Sequence, residues 1–329
     1  HRLDWTVDEF RPYVVHRFAD GSKDWLFDGF LFLEFKDGSG RNYTVGYEKL
    51  NARRTEWEWL LDRIFEQGKS LSALDRCIGQ EIKELGKPAF RHQIVLGLPE
   101  AIRGQKDWGE IDGREMDFSK EEDQIAATKW YIGELVERFK AAKYKHLELS
   151  GFYWVAEDTH HCAELTIPLS EYIHSEGKLF YWIPYWQAKG HEEWKRLGFD
   201  VAYQQPNHFF NHSIPDSRLD EACATARRHG MAMEFEFDEK ATAAIPNSSH
   251  DRMAAYINHF EKNDVFNSSA VAYYCGNRGV LTLDESDNPK DKALMDRLAR
   301  IIQARRYLKY GIPMKNKTRV VAHLSLIHI

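Results

Sequence analysis

The chain has 329 residues, 43% hydrophobic and 29% charged, with 45 Lys and Arg against 51 Asp and Glu for a net charge of −6. That balance excludes a disordered chain and a protein built to hold nucleic-acid phosphates, which needs a basic face; no apolar run approaches the roughly 18 residues of a membrane span. Ten Trp, 15 Tyr and 19 Phe exceed what a core of this size requires, so part of that aromatic surface is expected to line a site.

In chain order, a loop or helix over 4–15 precedes a strand at 25–35 (WLFDGFLFLEF). Trp57, Leu60, Leu61, Ile64 and Phe65 share one face of a helix over 56–66, and 70–85 repeats the period. A strand follows at 92–98. Ser119 and Glu122 have the spacing of a capping box, which starts a helix over 119–143. Strands are expected at 146–154, 178–185 and 199–203. A helix over 216–229 stops at Gly230, and a strand runs over 231–237. Helices at 249–262 and 290–309 flank a last strand at 269–275.

The first residues, His1-Arg2-Leu3, and the last six, Leu324 to Ile329, both read as cut ends. The last six match the translation of a transposase mosaic end used in sequencing libraries and are expected to be a scar. A single domain is expected over 1–312, with 313–323 as a tail. Cys77, Cys162, Cys223 and Cys275 make no CxxC or zinc spacing and read as free buried thiols.

Strands alternating with helices imply a parallel sheet with helices outside. Seven strands are visible and a (β/α)8 barrel needs eight, so the expected fold is an α/β, TIM-like barrel whose first strand lies upstream of His1. It would have two open edges. A doubly wound sheet is the alternative, disfavoured because no GxGxxG or GxxxxGK[ST] turn follows any strand; no cofactor is expected.

With an upstream strand counted first, 231–237 is the seventh strand. Its two rows are Met231, Met233, Phe235, Phe237 and Ala232, Glu234, Glu236, Asp238. The apolar row must pack on helices, so the acids point inward. Such burial costs several kcal/mol per unpaired ion, more than stability alone would tolerate. In the fourth strand Glu148, Ser150, Phe152 and Trp154 share a row, and Glu157 follows the strand. Active sites of this fold lie at the C-terminal strand ends. The candidate binding residues are Asp28, Trp154, Trp182, Tyr185, Trp186, Gln204, Gln205, Asn207, His208 and Tyr274; the candidate catalytic acids are Glu157, Glu234 and Glu236. Aromatic faces stack on sugar C–H faces, and amides and carboxylates bind hydroxyls. A neutral carbohydrate therefore fits this mouth as substrate.

Two carboxyl groups on opposite walls can cleave a glycosidic bond, one as proton donor and the other as nucleophile or base. Glu157 and Glu234 stand where the large clan of retaining (β/α)8 glycosidases carries its acids, and MAMEFE (231–236) resembles that clan's nucleophile strand. The resemblance implies Glu157 as acid/base and Glu234 as nucleophile. Glu236 competes, because parity does not separate it from Glu234. The clan's Asn-Glu pair is missing, since Ala156 precedes Glu157.

The segments LFDGFLFL (26–33), GFYWVAED (151–158), YWIPYWQAKG (181–190), LGFDVAYQQPNHFF (197–210) and MEFEFDE (233–239) resemble the bacterial family of domains of unknown function numbered 4855, over about residues 5–310. That resemblance implies a TIM-like barrel, exported to the periplasm or beyond and linked to glycan use. Two other functions remain open: a glycan-binding barrel without turnover, and a metal-dependent hydrolase. No metal site is expected, because His160-His161 beside Glu157 and Asp158 matches no zinc spacing and reads as a surface loop.

Overall fold

A computed structural model describes residues 4–160, 162–276 and 278–311, and the backbone of a strand at 325–328. His161 and residues 312–324, with the whole of the expected tail, lie outside that description. Eight parallel strands close into a barrel. In chain order they are β1 (Gly29–Phe32), β2 (His92–Leu98), β3 (Leu147–Trp154), β4 (Leu179–Trp182), β5 (Val201–Gln204), β6 (Ala232–Phe237), β7 (Val271–Cys275) and β8 (Ser325–His328). The strands counted fourth and seventh above are β3 and β6.

The place left for an upstream strand, between β7 and β1, is taken by β8, which pairs in parallel with both. The segment set aside as a scar is thus seated as a stave, and the two edges expected to be open are paired. An unpaired edge presents a full row of backbone donors and acceptors, which any extended segment can satisfy.

The outer layer comprises α1 (Val7–Val14), α2 (Arg54–Ile64), α3 (Ser70–Leu85), α4 (Glu121–Ala142), α5 (Ala163–Ser175), α6 (Ser217–His229), α7 (His250–Lys262), α8 (Val265–Ser268), α9 (Gly279–Glu285) and α10 (Pro289–Lys309). α2 buries Trp57, Leu60, Leu61 and Ile64, the face its period marks. α6 ends where Gly230 takes a left-handed conformation, φ 64°. The start of α4 differs from its expected capping box. Asp117 accepts from the Ser119 hydroxyl and amide at 2.6 and 3.0 Å, so Ser119 closes a turn ahead of the helix. α5 left no clear period in the sequence, because Pro168 and two β-branched residues interrupt it. Its buried Leu165, Leu169 and Ile173 hold it against that propensity.

Two side-chain layers result. Phe152, Trp154, Phe180, Trp182, Met233, Phe235 and Phe237 join the core between strands and helices. Leu31, Val95, Tyr153, Tyr181, Tyr203, Ala232 and Ala272 fill the barrel itself, so it has a packed plug below the mouth. The rows of β6 follow simple alternation. Those of β3 do not, because the β2–β3 register slips opposite Ile94 and Val95, between Leu149 and Gly151. Past this bulge Tyr153 and Val155 face inward, and Phe152 and Trp154 face outward. A Cβ on Gly151 would lie 2.0 Å from the Leu179 carbonyl oxygen. Gly151→Ala is therefore expected to cost about 2–3 kcal/mol, read as a lower midpoint in denaturant unfolding.

Candidate active site

Three acids meet at the C-terminal end of the barrel. Glu234 and Glu236 rise from the inward row of β6, above Ala232, and are 0% and 2% exposed. Glu157 lies on the inward parity of β3 that the bulge creates, in the loop after the strand. Its carbonyl accepts from the Tyr185 amide (3.3 Å), and the Thr159 amide and hydroxyl both bind the Lys189 carbonyl (3.2 and 3.0 Å). These contacts zip the β3 loop to the β4 loop and turn Glu157 over the mouth.

Gln205 connects the acids. Its Nε2 donates to Glu157 Oε1 at 3.4 Å, and its amide also favours the ionised form of Glu234. The orientation of that amide follows from Asn207, whose Nδ2 donates to Gln205 Oε1 at 2.7 Å and leaves Nε2 facing the carboxyl groups. Asn207 has a left-handed backbone, φ 51°, which asparagine tolerates well, and its Oδ1 accepts from the Trp186 amide at 2.6 Å. Glu236 is held from outside the barrel. Tyr256 of α7 donates its hydroxyl at 2.5 Å, and the amides of His208 (3.3 Å) and Asn207 add to it.

Burial dominates the electrostatics. It pushes Glu157 up to about 6, against the Gln205 hydrogen bond and with the Asp158 charge adding. It pushes Glu236 up to about 7, opposed by Tyr256 and the His208 amide, with Glu157 adding. Glu234 rises well above the usual carboxyl range, through burial first and then the charges of Glu236 and Glu157. The Tyr153 hydroxyl, at the top of the plug, is also raised by burial and then by Glu157 and Glu234. Buried acids that raise one another in this way do not all ionise at neutral pH.

The mouth also gathers Tyr185, Trp186 and Tyr274. Tyr185 is 37% exposed and donates to Asp158 at 3.2 Å. Trp186 lies under the Arg218 guanidinium, 4.8 Å away. Tyr274 stands opposite Glu236 in the β6–β7 register and meets Phe210 edge to face at 5.8 Å.

Five expected binding residues lie elsewhere. Asp28 precedes β1 at the opposite barrel end, bound by Lys309 (3.0 Å) and Tyr310 (2.9 Å). Trp154 faces the helices, against Phe180, because of the bulge. Trp182 stacks on Phe199 at 4.9 Å, since Tyr181 takes the inward position of that pair. Its indole nitrogen donates to the Ala156 carbonyl at 2.9 Å and so braces the residue before Glu157. Gln204 is fully buried on the outer parity of β5. The His208 ring is likewise not a mouth surface. It is fully buried, packs edge-on against Tyr256 and bonds Asp216 at 2.8 Å; burial brings it down to about 4, so it is neutral at pH 7. Tyr256, which sequence reasoning missed, comes from a helix face whose period marks it only as core.

The family described as "Domain of unknown function (DUF4855)" matches residues 1–300. The chain belongs to this family. Among solved structures, this DUF4855 chain is similar to "a putative alpha-L-fucosidase" from Bacteroides thetaiotaomicron, with a TM-score of 0.40 and 13% identity over 84% of this chain and 95% of that one. It is also similar to the carboxyl transferase domain of Rhizobium etli pyruvate carboxylase, with a TM-score of 0.36 and 10% identity over 82% of this chain and 42% of that one. Likenesses this distant say nothing of substrate. No curated protein matches the DUF4855 chain. No described helix is long and apolar enough to cross a membrane.

Two outcomes test the electrostatics. The folded state holds the Glu236 proton more tightly than the unfolded chain does. That contribution is full below the ordinary value of 4.5 and is lost as pH rises through about 7. Glu236→Gln should therefore melt above wild type by ~2–5 °C at pH 8 and level with it at pH 4.5, by calorimetry. Tyr256→Phe removes a donor from the ionised form, so its loss of about 1–3 kcal/mol should be larger at pH 8 than at pH 5.

Proposed function

We propose that this barrel is a glycoside hydrolase that cleaves a poly- or oligosaccharide by two-carboxylate chemistry. The observation that carries the reading is that Glu157 shares Gln205 with Glu234 and couples electrostatically to both acids of β6. Carboxyl groups from separate staves thus meet beside aromatic side chains.

Glu157 is the proton donor. It is the acid nearest solvent in this group, and at about 6 it keeps its proton under mildly acidic conditions while still able to release it. Of the two β6 acids, Glu236 is the one equipped to be negative, because Tyr256 and two backbone amides bind its ionised form. It takes the part of nucleophile or base, which the glycosidase resemblance alone had given to Glu234. Glu234, pushed further up, stays protonated and spares the pocket a third charge. Phe210, 51% exposed, borders a depression of about 230 Å³ with Ile245 and Lys240 next to the mouth, with room for a neighbouring sugar.

The test is hydrolysis of a panel of polysaccharides, oligosaccharides and aryl glycosides by wild type, Glu157→Gln, Glu234→Gln and Glu236→Gln. We expect kcat/KM to fall by ~10³-fold or more in Glu157→Gln and Glu236→Gln. The Glu157→Gln loss should shrink on aryl glycosides, whose leaving groups need no proton. Wild-type activity should follow a bell in pH that peaks between about 6 and about 7, since the working form holds Glu157 protonated while Glu236 is ionised, and falls on both sides. Full activity in both variants overturns the assignment, and affinity for glycans without turnover by wild type makes the barrel a binding module.

A further inference from the structure

The β4-to-β5 crossover, residues 183–200, carries the least helix of the outer layer. It contains a single turn of 3-10 helix, His191–Glu193, where other crossovers carry long α-helices. A cavity of about 660 Å³ opens beside it at the N-terminal ends of β5, β6 and β7. Trp194, Val201, Arg227 and Met231 lie along its wall. Trp194 is the crossover's apolar side chain on that wall, next to Cys223 and Ala226 of α6.

Two histidines and a glutamate stand at that junction. Ligand atoms of His191 and Glu192, on the short helix, and of His229, the last residue of α6, all lie within 4.8 Å of one another. His229 Nε2 is 3.8 Å from Glu192 Oε1, and the two imidazoles meet edge to face at 5.7 Å. The His191 ring is already oriented: Nδ1 bonds the Ala188 carbonyl at 2.6 Å, which leaves Nε2 as the lone-pair nitrogen. A backbone carbonyl on the far ring nitrogen is the usual outer-shell support of a metal-ligating histidine. The backbone of His229 is also pinned, since its carbonyl accepts from the Trp194 indole at 2.9 Å. Glu192 is mostly exposed and free to swing the remaining distance.

We propose that His191, Glu192 and His229 bind one divalent ion of the zinc type, a two-histidine, one-carboxylate set completed by water, which clamps the helix-poor crossover to α6. Tetrahedral zinc brings such ligands to about 3.3 Å from one another, so closure needs side-chain rotation and no backbone shift. The clamp lies outside the mouth and is independent of the hydrolase reading. It differs from the His160-His161 pair that the sequence singles out.

The test uses the full chain, stripped with chelator and titrated with Zn²⁺ and Co²⁺. We expect one ion per chain by calorimetry, a visible Co²⁺ spectrum of tetrahedral type, and a melting temperature that rises by several degrees with Zn²⁺ and returns with chelator. His191→Gln and His229→Gln should abolish all three readouts, and His160→Gln should leave them intact. Glu192→Ala changes an exposed side chain and keeps the fold, so it covers the case in which a histidine variant does not fold; it should weaken Zn²⁺ binding at least tenfold. Zn²⁺ binding unchanged in Glu192→Ala and in the folded histidine variants, or no rise in melting temperature with Zn²⁺, overturns the proposal.

Discussion

Carboxyl groups crowded above an apolar plug repel one another and lose water, and the top of this barrel is arranged around that cost. Each acid receives a different answer. Glu236 takes donors from Tyr256, His208 and Asn207. Glu157 keeps partial access to solvent and shares the Gln205 amide with Glu234. Glu234, the most enclosed, is held toward its neutral form. A barrel selected for stability alone would place Val or Leu at these inward positions. The donors that manage the charges come from two parts of the chain, the loop after β5 (Gln205, Asn207, His208) and Tyr256 of α7.

The supporting shell extends well beyond the mouth. Asn207 sets the Gln205 amide, Trp182 braces Ala156, and the His208 ring packs on Tyr256. Several residues that look like sugar contacts in sequence are thus positioning residues, one layer behind the surface. The same β4 loop that zips to Glu157 continues into the short helix bearing His191, whose ring and amide both bind Ala188. Events at the crossover and at the mouth share this stretch of backbone.

Much of this was legible in one dimension. The alternation of strands and helices, the inward acids of β6 and the aromatic strand ends follow from periods of 2 and 3.6 and from the cost of burying charge. DUF4855 membership was legible too, from long segments in a fixed order. Four features were not legible: the slip in β3, the ring chosen from the Tyr181–Trp182 pair, the reach of Tyr256 from α7, and the seating of β8.

Local chemistry by itself determined that this chain makes a helix-wrapped parallel sheet with carboxylates on an inner row, because side-chain alternation and apolar burial are properties of short segments. Only the tertiary structure decided which aromatic rings face the hollow and which acid can hold a charge. A single extra residue opposite Ile94 and Val95 reverses the parity of β3, and the state of each carboxyl depends on donors brought from distant helices and loops. Neither effect leaves a mark within the segment it changes.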